Sequence, residues 1–220
     1  MPKFYSKGIA QDQKVRLTTK NPIDFGTGLM DPLKRGKVGY VNGTAVYGVV
    51  FPYTPNIQIS HDVNYGTYDL THTNYQPHYY VNSTNPTLSM SAQMTAQTFE
   101  EAAYTAAAIQ FFKSCTKMSF GTSKRGNLAA SDRSGMPPPV LILSGYGGLN
   151  IENVPVIIKN FSYTLPEDVD YITFQSGGQN HSVPTSVMIS LSFGVQQNPE
   201  KMKNFDLDGY KTGNNLRGWI

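Results

Sequence analysis

Cysteine is nearly absent: Cys115 is the only one in 220 residues. That excludes a disulfide framework and any multi-cysteine zinc site. Charge is scarce as well. Asp, Glu, Lys and Arg make up 15% of the chain, against about 25% in an ordinary soluble domain. No stretch approaches the ~18 consecutive apolar residues of a membrane helix. Met1–Lys7 carries no apolar run behind its charges, so a cleaved signal peptide is not expected. The chain contains no H-E-x-x-H, no G-x-S-x-G elbow and no P-loop signature, which removes the common zinc-peptidase, serine-hydrolase and nucleotide-hydrolase readings. A chain of this length buries roughly 70% of its unfolded surface, so its core needs no metal or disulfide staple.

Polarity comes instead from Ser, Thr, Asn, Gln and Tyr. Uncharged surfaces of that kind suit repeated protein contacts, and we read them as the mark of an assembly subunit. The charges that exist are unevenly placed. Residues 1–40 hold eight Lys and Arg (Lys3, Lys7, Lys14, Arg16, Lys20, Lys34, Arg35, Lys37) against Asp12, Asp24 and Asp31, a net of +5. The remainder holds ten basic and twelve acidic residues, a net of −2, which leaves +3 for the whole chain. The bases are dispersed, so no patch for tight nucleic-acid binding forms. Residues 1–40 lack hydrophobic periodicity and are rich in Gly and Pro; we read them as an extended basic N-terminal arm that orders against a partner.

From Val41 the pattern is β. Thr44–Phe51 is a β-branched and aromatic run stopped by Pro52, and Asn56–Ser60 alternates after it. In Thr87–Ala96, Leu88, Met90, Ala92, Met94 and Ala96 alternate with Ser89, Ser91, Gln93 and Thr95. A period of two is a half-buried strand, here with no charge on its polar face. Val140–Ser144 reads as a buried strand, Val154–Leu165 as a strand pair or one bent strand, and Val183–Val195 as a second alternating strand. One helix is predicted over 98–115. Thr98 caps it with Glu101 reaching back, Glu100 and Glu101 suit its positive end, and Lys113 and Lys117 suit the other. Tyr104, Ala108, Phe111 and Cys115 make one apolar stripe, and Ala103, Ala106 and Ala107 a flat second surface. The long loop 121–139 ends in Pro137-Pro138-Pro139, and a polar tail occupies 196–220. The domain reading is therefore an arm (1–40), a mainly β domain with one packed helix (41–195) and a tail (196–220).

Candidate chemistry is thin. Glu100 and Glu101 sit where a helix start wants negative charge. Glu167, Asp168 and Asp170 form an acidic turn without the ligand loop of a calcium site. His72 and His78 lie six residues apart, but Asn74–Pro77 interrupts any common strand. Cys115 ends an apolar helical stripe and is read as core. The sequons at Asn42, Asn82, Asn160 and Asn180 are read as chance in an Asn-, Ser- and Thr-rich chain. Tyr65, Tyr68, Tyr75, Tyr79 and Tyr80 suit either a carbohydrate platform or a protein interface, and the weakly charged chain favours the interface. No catalytic, cofactor-binding or metal-binding residue is assigned, and no enzyme is expected.

Several segments together resemble a known family. Phe51-Pro-Tyr-Thr-Pro-Asn-Ile57, Leu70-Thr-His-Thr-Asn-Tyr75, Met94–Tyr104, Phe111–Gly121, Pro137-Pro-Pro-Val-Leu141, Val154-Pro-Val-Ile157 and Leu165–Tyr171 occur in that order. Over about residues 48–195 the chain resembles the baseplate tail-tube initiator and tube–baseplate junction proteins of contractile-tailed bacteriophages. The resemblance implies a tail-tube-like β-sandwich or partial barrel that closes as a homo-hexameric ring in the virion baseplate. Such a ring sits on the hub protein, templates polymerisation of the tail-tube protein or a second junction ring, and lets DNA pass without specific binding. It implies no cofactor, no metal and no membrane contact. Strands 87–96 and 183–195 would line the lumen. Lumens in that family are often acidic, and the net +3 departs from that pattern, with the excess lying in residues 1–40. The alternatives are a bulk tail-tube subunit of a related injection machine, or a carbohydrate-binding tail-tip β-domain resting on the tyrosines.

Overall fold

The computed structural model describes residues 14–19, 28–35, 39–41, 44–46, 48–118, 135–147 and 150–220. Its first half contains β1 (Arg16–Thr19), α1 (Asp31–Arg35), β2 (Gly39–Val41), β3 (Thr44–Val46), β4 (Gly48–Val50), β5 (Asn56–Ser60), β6 (Val63–Thr67), β7 (His78–Ser83) and β8 (Thr87–Thr95). Then come α2 (Phe99–Cys115), β9 (Leu141–Gly145), β10 (Ile151–Thr164), β11 (Tyr171–Ser176), β12 (Gln179–Pro184), β13 (Ser186–Val195), α3 (Pro199–Lys203) and α4 (Leu207–Lys211). Among the described residues the chain is mainly β, with 44% strand and 18% helix. Seven strands form one antiparallel sheet in the order β4-β1-β9-β10-β13-β8-β5.

The alternating sequences of β8 and β13 put one side of this sheet in the core. Leu88, Met90, Ala92 and Met94 are buried across from Phe193, Leu191, Ile189 and Val187. That side is covered by α2, which packs against β8 and β10 on the sheet and against the separate hairpin β11–β12. The helix is therefore buried on more than one side, which explains its alanine content. Ala102, Ala107 and Ala108 are fully buried, and the predicted stripe of Tyr104, Ala108, Phe111 and Cys115 lies in the core. Aromatic rings lock it there. Phe112 stacks on Phe51 at 6.1 Å and meets Phe161 at 5.4 Å. Each such ring contributes about 1.5–3 kcal/mol on burial.

The helix start matches its sequence signature with one difference. Thr98 Oγ1 accepts from the Glu101 N–H at 3.3 Å, while the Glu101 carboxylate takes the N–H of Gln97, one residue before the cap, at 2.8 Å. Lys113 in the last turn lies 4.8 Å above the Tyr163 ring. The helix also closes one edge of the sheet. The Tyr104 hydroxyl donates to Val50 O at 3.0 Å and accepts from Val50 N at 2.8 Å. It thereby serves both outward backbone groups of a residue on the edge strand β4, doing what a further strand would do. On the inner side of β4, a Cβ at Gly48 would fall 2.0 Å from Leu17 O, so only glycine allows β4 this close to β1.

Two of these expectations change, and the alternatives left open for a third are decided. Residues 16–19 are not part of an arm: β1 is an inner strand between β4 and β9, with Val15 and Leu17 fully buried. Its apolar positions were too few to show a period. Leu33 of α1 is also in the core. Residues 1–13, 20–27 and 36–38 of the expected arm, and 119–134 covering most of the expected loop, lie outside the described residues. For Val154–Leu165 the second of the two readings holds: up to Thr164 it lies in one bent strand, β10, bulged between Ile158 and Asn160. Val183–Val195 is two strands: the chain leaves β12 at Pro184, and Thr185 bonds Ala96 and Asp170 before β13 starts. Residues 171–176 and 179–184 form a hairpin whose turn, Gly177-Gly178, has φ of +60° and +79°, the pair of positive angles that a tight two-residue connection requires.

The polar tail also folds back on the domain. Gly218 N donates to Glu152 O at 2.6 Å, Phe205 meets Trp219 edge-on at 4.7 Å, and Lys201 lies 5.0 Å above the Trp219 ring. Desolvation there lowers the Lys201 pKa.

Replacing Tyr104 by Phe keeps the ring and strands two buried backbone groups. We expect Tyr104→Phe to lower unfolding free energy by about 1–3 kcal/mol, seen in urea titration as a lower midpoint with an unchanged slope. A midpoint equal to wild type would show that the hydroxyl does not close the edge.

Candidate functional site

The side of the sheet opposite α2 is its most distinctive surface. Across four strands the register aligns two rows: Asn56, Ser91, Ser190 and Ser162, then Gln58, Ser89, Ser192 and Asn160. Ser192 is half-buried and the other seven are exposed. With strands about 4.8 Å apart, the short serines of β8 and β13 form a floor between longer amides on β5 and β10. The result is a shallow trough of about 340 Å³.

Among the described residues, no side chain in these two rows bonds elsewhere in the protein. Other surface polar groups do pair, as Asn64 with Asn82 at 2.9 Å, Gln93 with Ser186 at 3.1 Å and Thr173 with Ser182 at 2.9 Å. The trough thus presents unspent donors and acceptors of both kinds and no formal charge. Lys159, the bulged residue of β10, borders it. Its stem crosses Gly194, where a Cβ would meet Lys159 Cε at 2.6 Å.

The sequence pointed to β8 and β13 for this face. It did not join β5 and β10 to them. The signals were the alternations Asn56-Ile-Gln58-Ile-Ser60 and Asn160-Phe-Ser162-Tyr-Thr164, but pairing order lies outside a local pattern.

Next to this face, β6 and β7 continue β5 and β8 outward as a hairpin, with Thr84 N donating to Asp62 O at 3.0 Å. It contains most of the predicted tyrosine group. Tyr65, Tyr68, Tyr75, Tyr79 and Tyr80 are all exposed, Tyr75 at 88%. Tyr65 and Tyr80 meet edge-on at 6.1 Å, and Tyr68 and Tyr79 meet tilted at 4.5 Å. Gly66 leaves the space that the Tyr79 ring fills. The segment 61–86 carries Asp62 and Asp69 and no Lys or Arg.

The remaining sequence candidates are dispersed. His72 sits in the hairpin tip with φ of +58° and His78 starts β7, so they share no strand. Glu167, Asp168 and Asp170 are exposed in the turn after β10. Among the described residues, no three His, Cys, Asp or Glu side chains come together, and no helix is long and apolar enough to cross a membrane. Cys115 is buried in the core. Tyr146, at φ of +57°, donates to Pro55 O, and burial raises its pKa.

The two edges of the seven-stranded sheet differ. At β4 the backbone is served by Tyr104 beneath α2. At β5, among the described residues, no strand pairs with the outer edge. Comparison of the sequence with models of protein families finds no match, and comparison with curated proteins finds none either.

Because the trough is solvated in the isolated chain, charge there should cost little. Ser91→Asp and Ser190→Lys, each alone, are expected to change stability by less than about 0.5 kcal/mol. Their double variant, opposite one another in register, should gain about 0.2–1 kcal/mol over additivity. Thermal and urea unfolding of the three variants check this; a loss above about 2 kcal/mol for either single change would mean that the face is covered within the monomer.

Proposed function

We propose that this chain is a structural virion subunit. Six copies form a ring between the baseplate hub and the tail tube of a contractile-tailed bacteriophage, and the uncharged sheet face lines the bore. The observation that carries the reading is that face: two rows across four strands hold only Ser, Asn and Gln, where folding would tolerate charge. A bore that DNA must traverse gains from such a lining. Cations in register would hold successive phosphates, whereas neutral hydroxyls and amides keep a layer of water that slides. Lys159 lies at the border of the rows, on a bulge.

Three further features support it. The ordered segments Phe51–Ile57, Leu70–Tyr75, Met94–Tyr104 and Leu165–Tyr171 resemble the initiator and junction proteins. The open β5 edge is of the kind that assembly closes. The aromatic hairpin beside it provides large, low-entropy contact area for a neighbour. With Tyr104 of α2 occupying the outward backbone groups of Val50 on β4, ring closure would be head-to-tail, with β5 of each subunit meeting an element other than β4 on the next. No enzymatic role is proposed, because the titratable side chains that carry chemistry are dispersed. A bulk tube subunit would have the same face and differs only in where along the tail it sits.

Gold-antibody labelling of purified particles and detached tails separates these readings. Label confined to the baseplate end of the tube is expected. Label along the whole tube would make this the bulk tube protein, and particles without label would overturn the virion reading. On labelled particles, Ser91→Cys and Ser190→Cys should react with a maleimide only through the open bore. Reaction from outside intact particles would overturn the lining assignment.

A further inference from the structure

Among the described residues no strand pairs with the outer edge of β5, and the sequence of that edge is symmetric. In β5, Asn56-Ile57-Gln58-Ile59-Ser60 reads polar, Ile, Gln, Ile, polar in either direction about Gln58. Its isoleucines face the core side, where they pair in register with Met90 and Leu88 and pack against the buried cluster. Its polar residues face the trough. An antiparallel copy of the same strand, centred on Gln58, matches this pattern on both sides at once. Gln58 then faces Gln58 of the second copy, Ile57 faces Ile59, and Asn56 faces Ser60. Every side chain keeps its own side of the sheet, which is the condition for a strand register to be specified.

The edge also lacks the usual protective devices. It has no Lys, no Pro and, in its pairing with β8, no bulge, the features that ordinarily keep an edge strand from pairing with another chain. At the far edge, the Tyr104 hydroxyl occupies both outward backbone groups of Val50 on β4. Pairing through β5 therefore stops at two copies and does not propagate.

We infer that the free chain forms a two-fold dimer by antiparallel pairing of β5 with β5 of a second copy, joining the two polar faces into one. A contact of five residues a side is small beside the ~1,200–2,000 Å² of a standard stable interface, so this dimer is weak and concentration-dependent. The proposal goes beyond the ring reading. Taken with it, the dimer occupies the edge that ring closure needs and acts as a resting state that the hub template must displace.

The test is register-specific crosslinking with sedimentation velocity on the purified full-length chain. Sedimentation over a concentration series should show monomer converting to dimer without larger species. Gln58→Cys should crosslink to itself rapidly under mild oxidation, because directly opposed residues have Cβ atoms about 4.5–5.5 Å apart. Asn56→Cys alone should crosslink at least about tenfold more slowly, since its own copy lies across the two-fold axis. An equimolar mixture of Asn56→Cys and Ser60→Cys chains should restore the rate. Ile57→Lys, which places like charge against the second copy's edge, should abolish dimerisation and leave the far-UV spectrum of the monomer unchanged. If Ile57→Lys fails to fold, Gln58→Lys at the exposed centre gives the same readout. A monomer at all concentrations with no Gln58→Cys crosslink overturns the proposal. So does equal crosslinking at Gln58 and Asn56, or dimerisation that both lysine variants leave intact. Ring formation is read on particles, so the two readings fail separately.

Discussion

Everything in this fold depends on the burial of one helix between a sheet and a hairpin. A seven-stranded antiparallel sheet has two faces, and α2 with β11–β12 covers only one of them. Because α2 meets partners on more than one side, its sequence is alanine-rich and its apolar residues do not fall into one narrow stripe. Phe111 and Phe112 carry most of the volume, and Tyr104 reaches the sheet margin. The same helix therefore makes the core and closes the β4 edge. Among the described residues, the opposite face and the opposite edge are left uncovered, and the unusual chemistry lies on those two surfaces.

The sequence disclosed local alternation well and long-range pairing poorly, for a physical reason. A period of two is written into successive side chains, so β8, β13 and the exposed character of Ser89, Ser91 and Ser190 could be read directly. Thr98 and Glu101 likewise announce a helix start through contacts three residues apart. By contrast, β1 is only Arg16–Thr19, and its place between β4 and β9 depends on residues that follow it by some thirty and some 125 positions. Tertiary burial of Leu17 overrides the Gly- and Pro-rich text around it. The β11–β12 hairpin had a legible cue in Gly177-Gly178, which the long alternation of Val183–Val195 masked by running on through Thr185. The trough is an intermediate case. Its floor was legible, but its walls on β5 and β10 exist only because the strand order places them there.

The composition now has a structural meaning. Low charge is concentrated where it matters: the two rows of the trough hold no Asp, Glu, Lys or Arg, and the hairpin beside them holds no cation. An isolated soluble domain gains solubility by placing charge on exposed strands. Here the two rows carry serines and amides that, among the described residues, bind nothing else in the protein. Folding does not require that choice, since a solvated sheet face accepts charge at little cost. On the proposed ring reading, its absence is a constraint from outside the monomer.

The two edges carry the argument one step further. An open sheet would ordinarily grow in both directions, and two open edges on one subunit can propagate into fibres or close into rings. The Tyr104 hydroxyl on Val50 makes the β4 edge unlike the β5 edge and gives the sheet a polarity. Whatever meets β5 cannot be a copy's β4, so the subunit cannot stack edge to edge without end. On the two readings proposed above, either β5 pairs with its own copy about a two-fold axis, which stops at two, or it receives a different element from a neighbour, which makes a directional contact able to close a ring. These outcomes compete for the same five residues. A template that presents the second kind of partner in the correct geometry would shift the balance from one to the other. Assembly control of that kind needs no moving part in the subunit; it follows from one tyrosine hydroxyl occupying the edge where a strand would otherwise lie.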